Sequence, residues 1–273
     1  MSGWSGDGGM SPGASRGGGY SNRDGGMLIG GGGGTTVVPL SSIVPTWSAT
    51  TKLLKPSPFP DRGWDPVLRA QLLLEEFARL DWRTMIQHSP PPSSDGDIRG
   101  EIDALILLKK KRDERWNEIV LQDQSMSLYW SSVFHITARN RPASWTLISA
   151  AMAIGHMVGM YFKNEYKRPR PVDYAPAVAP MIVTPPHPAY PSGHALQSHL
   201  IAAFLKRACV DLSEAAGDLA ARISENREYA GLHFHTDTLE SIRIAQLVDG
   251  LIVPGSCSKF MEVLEKAKCE WAS

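Results

Sequence analysis

Apolar residues recur every three or four positions along most of the chain, the spacing that places them on one face of an α-helix. Residues 65–80 also carry start signals, because Asp65 precedes Pro66 and proline is favoured at the first helical position. The same period predicts one helix from about residue 98 past residue 116 towards residue 134. Further helices are predicted at residues 143–164, 193–210, 213–230, 235–253 and 256–271. No alternating strand pattern longer than a few residues occurs, so the predicted fold class is all-α, a helical bundle.

Three segments interrupt this helical period. Residues 89–97 form a loop rich in Pro, Ser, Asp and Gly, and residues 168–190 are too rich in proline to be regular. Residues 1–36 are Gly/Ser-rich sequence with too few apolar groups to offset the entropy of ordering, which predicts a disordered tail. We expect residues 37–142 to form a helical region that packs on a second helical domain, residues 143–273.

The most apolar segment, residues 145–162, is about as long as the shortest membrane-spanning helices. It carries His156, and no second segment of comparable length exists, so we interpret it as a buried core helix and expect no membrane span. The N-terminus lacks a basic start followed by an apolar run, which argues against a secretory signal peptide. The expected location is therefore cytoplasmic.

Charge and cysteine content restrict the classes of partner. The 28 Lys and Arg residues balance the 28 Asp and Glu residues, and a neutral chain is not expected to bind nucleic acid, so any anion site must be local. The run from Lys109 to Arg112 precedes Asp113 and Glu114, and we interpret it as a solvated helix face with local ion pairs. The three cysteines are widely spaced and fit neither a disulfide framework nor a zinc knuckle, so reduced thiols are expected.

Candidate chemistry is concentrated in three short clusters in the second half of the chain. The first is Lys163-x6-Arg170-Pro171, in which Pro169 and Pro171 flank the arginine. Rigid flanks lower the entropy cost of holding a guanidinium whose fork matches phosphate oxygens. Basic residues at a helix end also compensate the helix dipole, so this cluster alone does not establish a ligand site.

The second cluster is Pro191-Ser192-Gly193-His194, at the start of a predicted helix. A helix N-terminus presents unpaired N–H groups and a partial positive charge, and glycine lets an anion approach the backbone. Ser192 is placed to cap the helix and to serve a ligand, and His194 can deliver a proton near neutral pH. An ordinary capped helix with a surface histidine would have the same sequence.

The third cluster is Arg227-x5-His233-x3-Asp237. His233 and Asp237 are four residues apart, so on a helix they share a face and the carboxylate can accept from one ring nitrogen. The lone pair of the other nitrogen is then left for a nucleophilic or ligating role. A metal site built on His233, His235 and Asp237 is the alternative, but Thr238 follows in an all-helical chain, so no metal is expected. His235 is then expected to support the site or to face solvent.

Together, the three clusters resemble the signature of the superfamily that joins type-2 phosphatidic acid phosphatases, bacterial class A acid phosphatases and vanadium-dependent haloperoxidases. The resemblance covers about residues 143–253. It implies the helical bundle of that superfamily, with residues 143–273 as the catalytic domain. It also implies that Lys163, Arg170 and Arg227 neutralise a bound tetrahedral oxyanion, to which Ser192 and the Gly193 amide add hydrogen bonds.

The resemblance also implies roles for the remaining matching residues. His233 would attack phosphorus to form a phosphohistidine, or would coordinate vanadate in a peroxidase, and Asp237 would orient it. His194 would be the general acid for the leaving group and then the base for the hydrolytic water. Metal ions are not needed in this scheme, because the protein's own cations stabilise the oxyanion.

The chain departs from the superfamily pattern at two places. Asn226 stands where the third cluster usually begins with serine, and its amide can partly replace the hydroxyl by hydrogen bonding. After Asp237 the superfamily often has a small residue and glycine, whereas this chain has Glu240 and Ser241, which puts close helix packing there in doubt.

Two chemistries compete for the same site. The short spacing from Ser192 to Arg227, in a chain about half as long as many haloperoxidases, favours a phosphatase that needs no cofactor. A small soluble phosphomonoester is the expected substrate, because no multi-span membrane body is expected. Against this, residues 186–194 (PHPAYPSGH) resemble a loop of vanadium bromoperoxidases. By this resemblance His187 would tune a vanadate or halide site, and capping of the loop is its alternative role. The partners would then be a halide and hydrogen peroxide, with vanadate as cofactor. In both chemistries, apolar helices in residues 65–134 would cover the bundle or form a homo-oligomer interface.

A non-catalytic phosphate-binding module is the remaining alternative. The complete set of cations, His194, His233 and Asp237 argues against it, because binding alone does not need both histidines.

Overall fold

The computed structural model describes residue 55 and residues 57–272. Every regular element in this range is helical and none is a strand, which confirms the all-α prediction. The predicted disordered tail, residues 1–36, lies outside the described residues. The helices are α1 (Pro66–Ala78), α2 (Trp82–Met85), α3 (Asp95–Lys109), α4 (Trp116–Gln124), α5 (Met126–Phe134), α6 (Pro142–Tyr166), α7 (Pro171–Tyr174), α8 (Gly193–Ala208), α9 (Ser213–Tyr229), α10 (His235–Leu251) and α11 (Ser258–Trp271).

Helices α6 and α8 form the centre of the bundle. Helix α6 packs against α1, α8 and α11, and α8 packs in turn against α9 and α10. The side chains of Trp82, Trp130, Phe162 and Phe204 are fully buried in the shared core. Because α8 touches most of the bundle, its N-terminus is held rigidly, and this is where the second sequence cluster begins.

The predicted helix boundaries agree with the structure where capping signals are strong. Asp65 accepts hydrogen bonds from the amides of Val67 and Leu68 at 2.9 and 3.0 Å, so it caps α1 as predicted. The helices predicted in the second half of the chain are α6 and α8 to α11. Between α6 and α8 the proline-rich segment contains only α7 and a short 3-10 helix, Pro176–Val178.

The single long helix predicted from residue 98 towards residue 134 is wrong. The chain instead forms α3, a 3-10 helix (Arg112–Arg115), α4 and α5. The break before α5 is a capping effect, because the Ser125 hydroxyl accepts from the Leu128 amide at 3.3 Å. Hydrophobic period alone does not register such a break, since a helical pattern continues on both sides of it.

The interpretation of residues 109–112 as a solvated face is correct for Lys109 to Lys111, which are exposed, and wrong for Arg112. Arg112 is only 6% exposed, and it donates to the carbonyls of Tyr229 and Ala179, both at 2.6 Å. Lys109 donates to the Ala177 carbonyl at 3.0 Å. These bonds fasten the end of α3 to the proline-rich segment and to the end of α9.

Helix α6 contains the most apolar segment of the chain. Among the described residues, the stretch Pro142–Tyr174 alone is long and apolar enough to cross a membrane by length and composition, with a mean hydropathy of 1.3 in its most apolar window. In that window, 61% of the residues are buried inside the bundle, the burial expected of a core helix.

Close packing of α6 on α8 depends on a glycine. A Cβ atom added to Gly155 would lie 2.8 Å from Gln197 Cγ and 3.2 Å from Gln197 Cα, whereas one added to Gly159 would lie 3.5 Å from Leu196 Cδ2. We therefore expect Gly155→Ala to lower the free energy of unfolding by about 1–3 kcal/mol. Gly159→Ala is the matched control and should stabilise by up to about 1 kcal/mol, because alanine favours the helix.

Urea denaturation of both variants measures the two effects. Equal stabilisation by Gly155→Ala and Gly159→Ala would contradict the close contact between the two helices.

Candidate active site

The third sequence cluster forms a histidine–carboxylate pair at the start of α10. His233 and Asp237 are 4% and 0% exposed, and His233 Nδ1 lies 3.1 Å from Asp237 Oδ2. The same carboxylate oxygen accepts from the Phe234 amide at 3.0 Å, which fixes Asp237 at the third position of the helix. A carboxylate in the first turn is also favoured by the positive end of the helix dipole.

Arg170 determines which nitrogen of His233 carries the proton. Its Nη1 lies 3.1 Å from His233 Nε2, and a guanidinium can only donate, so Nε2 must accept. The proton then resides on Nδ1 and is donated to Asp237, as the sequence predicts. The unprotonated Nε2, which accepts from Arg170 in this structure, is therefore the nucleophilic or ligating atom of the pair.

Burial controls the charges of this pair. Desolvation, followed by the nearby Arg170 and Lys163, holds the pKa of His233 well below its usual value, so the ring is neutral and keeps its lone pair. Desolvation raises the pKa of Asp237 to about 6, although the Arg168 guanidinium acts in the opposite direction. At neutral pH, the pair is thus a neutral imidazole that donates to a carboxylate.

The second cluster begins α8, but without the predicted cap. Ser192 occupies the capping position and is fully buried, yet its hydroxyl bonds no backbone amide and has no hydrogen-bond partner in the structure. The Ser192 amide donates instead to the Asp237 carbonyl at 3.1 Å, which ties the start of α8 to α10. The prediction that Ser192 caps α8 is therefore wrong, and its hydroxyl remains available for a ligand.

Gly193 and His194 follow Ser192 in the wall of a cavity of about 270 Å³. A Cβ atom added to Gly193 would meet nothing within 4 Å, so this glycine leaves open space where an anion would reach the helix N-terminus. Desolvation, with a smaller contribution from Arg227, lowers the pKa of His194 to about 3. His194 is consequently neutral in the absence of an anion.

Because the buried Ser192 hydroxyl has no hydrogen-bond partner, Ser192→Ala has a specific expected effect. Because this variant removes an unpaired polar group, we expect the unfolding free energy of the unliganded protein to stay equal or to rise, while phosphate affinity falls by roughly tenfold. Ser198→Ala on the same helix is the contrast, because its hydroxyl donates to Met126 Sδ at 3.1 Å. Thermal melts with and without phosphate separate the two effects. A loss of unliganded stability in Ser192→Ala would contradict the assignment.

The two remaining predicted cations behave differently from each other. Lys163 is 2% exposed, and its ammonium group donates to the carbonyls of Pro188, Ala189 and Pro191 at 2.7, 2.8 and 2.6 Å. All three of its donors are used, so in this structure Lys163 anchors the loop before α8 and acts on the cavity only as a nearby charge. Sequence reasoning placed it directly on the oxyanion.

Arg227, by contrast, lies in the cavity wall with unused donors. It is fully buried, and its Nε and Nη1 atoms have no hydrogen-bond partner, although Nη1 lies 3.7 Å from Asp123 Oδ1. Its Nη2 donates to the Ile119 carbonyl at 3.1 Å. Desolvation lowers the pKa of Arg227 to about 10, which still leaves it fully charged at neutral pH. A buried cation with free donors is a suitable ligand for an oxyanion.

His187 lies beside Arg170 at the same cavity. Its Nδ1 is 3.1 Å from Arg170 Nη2, and Arg170 Nε donates to the His187 carbonyl at 3.1 Å. Desolvation and then Lys163 lower the pKa of His187 to about 4, so it is neutral at neutral pH. The structure thus brings all nine predicted site residues together: Lys163, Arg170, His187, Ser192, Gly193, His194, Arg227, His233 and Asp237.

Sequence reasoning missed a set of residues behind this site. Arg168 donates to Asp237 Oδ1 at 2.5 Å and pairs with Glu101 of α3. Nothing in the spacing of the clusters distinguishes Arg168 from the other basic residues around it, and Glu101 is far away in the chain. Gln122 of α4 was missed for the same reason, since its Oε1 lies 3.1 Å from Asn226 Nδ2 and 3.5 Å from Arg227 Nη2.

The two departures from the superfamily pattern are accommodated by hydrogen bonds. Asn226 accepts from Arg115 at 3.0 Å and donates to Glu118 at 2.9 Å, so its amide fastens α9 to α4 beside Arg227. Ser241 donates to the Ser192 carbonyl at 2.8 Å, which links α10 to the start of α8. Glu240 accepts from the Ser89 amide at 3.0 Å.

His233, His235 and Asp237, the residues of the alternative metal site, are not grouped as metal ligands. The His235 side chain is 63% exposed, and its Nδ1 lies 3.2 Å from Glu228. This orientation matches the expectation that His235 supports the site or faces solvent. In the part of the chain that the structure describes, no group of three or more His, Cys, Asp or Glu side chains is arranged to hold a metal ion.

Comparison with known proteins gives matches among solved structures only. No protein-family model matches the chain, and no curated protein matches it by sequence. One matching structure is a bacterial vanadium-dependent iodoperoxidase, with a TM-score of 0.49 and 17% identity over 66% of this chain and 53% of that chain. This chain thus spans about half the length of the iodoperoxidase chain.

A second matching structure is a transmembrane PAP2-type phosphatidylglycerolphosphate phosphatase from Bacillus subtilis. Its TM-score is 0.43, with 19% identity over 68% of this chain and 93% of that chain.

Proposed function

We propose that the protein hydrolyses small phosphomonoesters, without a metal ion, through a phosphohistidine formed on His233. The observation that carries the proposal is a set of unpartnered buried donors beside a histidine of defined tautomer. The Ser192 hydroxyl and two nitrogens of Arg227 have no hydrogen-bond partner, and Arg227 and His233 line the same cavity. A tetrahedral oxyanion supplies the acceptors that these donors lack.

The first chemical step is attack of His233 Nε2 on phosphorus. Asp237 accepts from Nδ1 and stabilises the positive charge that the ring acquires as the new N–P bond forms. Arg170 and Arg227 balance the charge on the phosphoryl oxygens, while the bond from phosphorus to the leaving oxygen breaks. His194 donates a proton to that oxygen, and the alcohol leaves.

The second step returns the enzyme to its starting state. Neutral His194 takes a proton from a water molecule, whose oxygen attacks phosphorus as the N–P bond breaks. The electron pair of that bond returns to His233 Nε2, and inorganic phosphate leaves. Because a bound anion favours the charged form of a nearby histidine, substrate binding must raise the pKa of His194 from about 3 for it to act as an acid.

A vanadium haloperoxidase is the second candidate, and the position of His187 favours it. The unprotonated Nε2 of His233 and the unpartnered donors of Ser192 and Arg227 fit vanadate as well as phosphate. When bound, vanadate supplies the activation of hydrogen peroxide for halide oxidation. His187, neutral and 3.1 Å from Arg170, would lie next to that group and tune the site.

A paired assay of the full-length protein distinguishes the two functions. One arm measures release of p-nitrophenol from p-nitrophenyl phosphate in the presence of a chelator, and the other measures bromination of a dye with vanadate and hydrogen peroxide. We expect phosphate release that the chelator does not reduce. Bromination that strictly depends on vanadate, with negligible phosphate release, would replace the phosphatase by the haloperoxidase. Phosphate binding with neither activity would indicate the non-catalytic module.

A further inference from the structure

A buried arginine holds the carboxylate behind His233. Arg168 is 3% exposed, and its Nη1 donates to Asp237 Oδ1 at 2.5 Å. His233 Nδ1 contacts the other oxygen, Oδ2. The two oxygens of Asp237 are therefore divided between the arginine and the histidine, and rotation of the carboxyl group would break both contacts.

Arg168 is itself fixed by α3, from the N-terminal half of the chain. Its Nη2 pairs with one oxygen of Glu101, and its guanidinium carbon lies 4.0 Å from the centre of the Phe234 ring. The other oxygen of Glu101 accepts from the Thr236 hydroxyl at 2.6 Å and from the Thr236 amide at 3.2 Å. Glu101 thus holds both Arg168 and the first turn of α10, the turn that presents His233 and Asp237.

We propose that Arg168, held by Glu101, is a positioning residue that holds Asp237 against His233 Nδ1 and, together with the Arg170 contact at Nε2, keeps the proton on Nδ1. It touches neither the substrate nor the reacting nitrogen in this account, but acts through Asp237. The effect on turnover rests on the proposed function, whereas the effect on the His233 tautomer does not.

Charge balance gives the physical reason. Asp237 is fully buried, and a buried carboxylate is costly unless it is paired. The charged or titratable groups around it are Arg168, His233, Lys163, Tyr190 and, through Arg168, Glu101. The three N–H donors of Lys163 bond backbone carbonyls. Arg168 therefore supplies the only cationic hydrogen bond to Asp237 among the described residues. Without it, the Phe234 amide still holds Oδ2, but the buried carboxylate loses its cationic hydrogen bond and holds Nδ1–H less firmly.

The test compares Arg168→Met and Arg168→Lys with the control Lys167→Met. Lys167 is an exposed neighbour, so its variant removes the same charge from the same segment without touching Asp237. Three quantities are measured at neutral pH: the histidine tautomers from ¹⁵N chemical shifts, the affinity for inorganic phosphate, and kcat with p-nitrophenyl phosphate.

We expect Arg168→Met to lower the population of the Nδ1–H tautomer of His233 and to lower kcat by at least about 100-fold, with phosphate affinity changed less than about threefold. Arg168→Lys should recover part of both losses, and Lys167→Met should match the wild type. An unchanged tautomer in folded Arg168→Met would overturn the proposal. A parallel loss of phosphate affinity and kcat would also overturn it, because Arg168 would then bind the anion.

Two further results keep the test decisive. If Arg168→Met does not fold, Glu101→Gln replaces it, because this variant loosens Arg168 but leaves the pair between Arg168 and Asp237. A shifted tautomer population of His233 and a several-fold lower kcat would support the proposal. Wild-type values of both quantities would overturn it. If the wild type shows neither activity, the proposed function fails, and the tautomer comparison alone decides the role of Arg168.

Discussion

Replacement of His233 by alanine is expected to abolish phosphate release, with kcat falling by at least about 10⁴-fold. The reason is that, in the proposed mechanism, Nε2 of this ring supplies the electron pair that forms the N–P bond. His194 is the second histidine of the cavity that the mechanism uses, but it is assigned to proton transfer. Phosphate affinity should fall far less, because Ser192 and Arg227 remain.

His235→Ala is the matched control for this experiment. His235 lies two residues from His233, but it is largely exposed and contacts Glu228 rather than the cavity. Steady-state kinetics with p-nitrophenyl phosphate should show near wild-type kcat for His235→Ala. Retention of phosphatase activity in His233→Ala would exclude the phosphohistidine mechanism.

The second large effect is expected for Arg227→Lys. Lysine keeps the charge but lacks the planar guanidinium fork. The variant therefore loses the donors Nε and Nη1, which have no hydrogen-bond partner in the structure and can bind the oxyanion. Since one preorganised donor is worth about 100-fold or more in rate, we expect kcat/KM to fall by at least about 100-fold. Phosphate should raise the Tm of the wild type, because it binds only the folded state, and should raise that of Arg227→Lys much less.

Arg222→Lys provides the control on the same helix. The Arg222 side chain is 41% exposed and pairs with Glu118 outside the cavity. The same chemical change should therefore leave kcat/KM and the effect of phosphate on Tm nearly unchanged. Equal effects of the two substitutions would mean that Arg227 has only a packing role.

The local parts of the site could be predicted from the sequence. The pairing of His233 with Asp237 follows from their spacing of four residues at a helix start, and the structure shows this contact at 3.1 Å. Helix α1 could be placed from Asp65 and Pro66 because capping involves neighbours in the chain. Such features depend on backbone geometry over a few neighbouring residues, and the spacing of those residues in the sequence is enough to predict them.

The missed parts depend on contacts between residues distant in the chain. Glu101 lies 67 positions from Arg168, and no local rule links an acidic residue in α3 to the dyad in α10. Ser192 has the spacing of a helix cap but forms no capping bond, because its amide and carbonyl are held by α10. Lys163 reaches backbone carbonyls of an irregular loop, whose course a proline-rich sequence does not define.

Trapping the covalent intermediate tests the central claim most directly. The wild-type protein and His233→Ala are mixed with p-nitrophenyl phosphate, quenched within one turnover under alkaline conditions that preserve phosphohistidine, and digested for mass spectrometry. We predict a phosphoryl group on the wild-type peptide that contains His233 and none on the corresponding peptide of His233→Ala. A wild-type enzyme that releases p-nitrophenol while His233 stays unmodified, or that carries the phosphoryl group on another residue, would contradict the account.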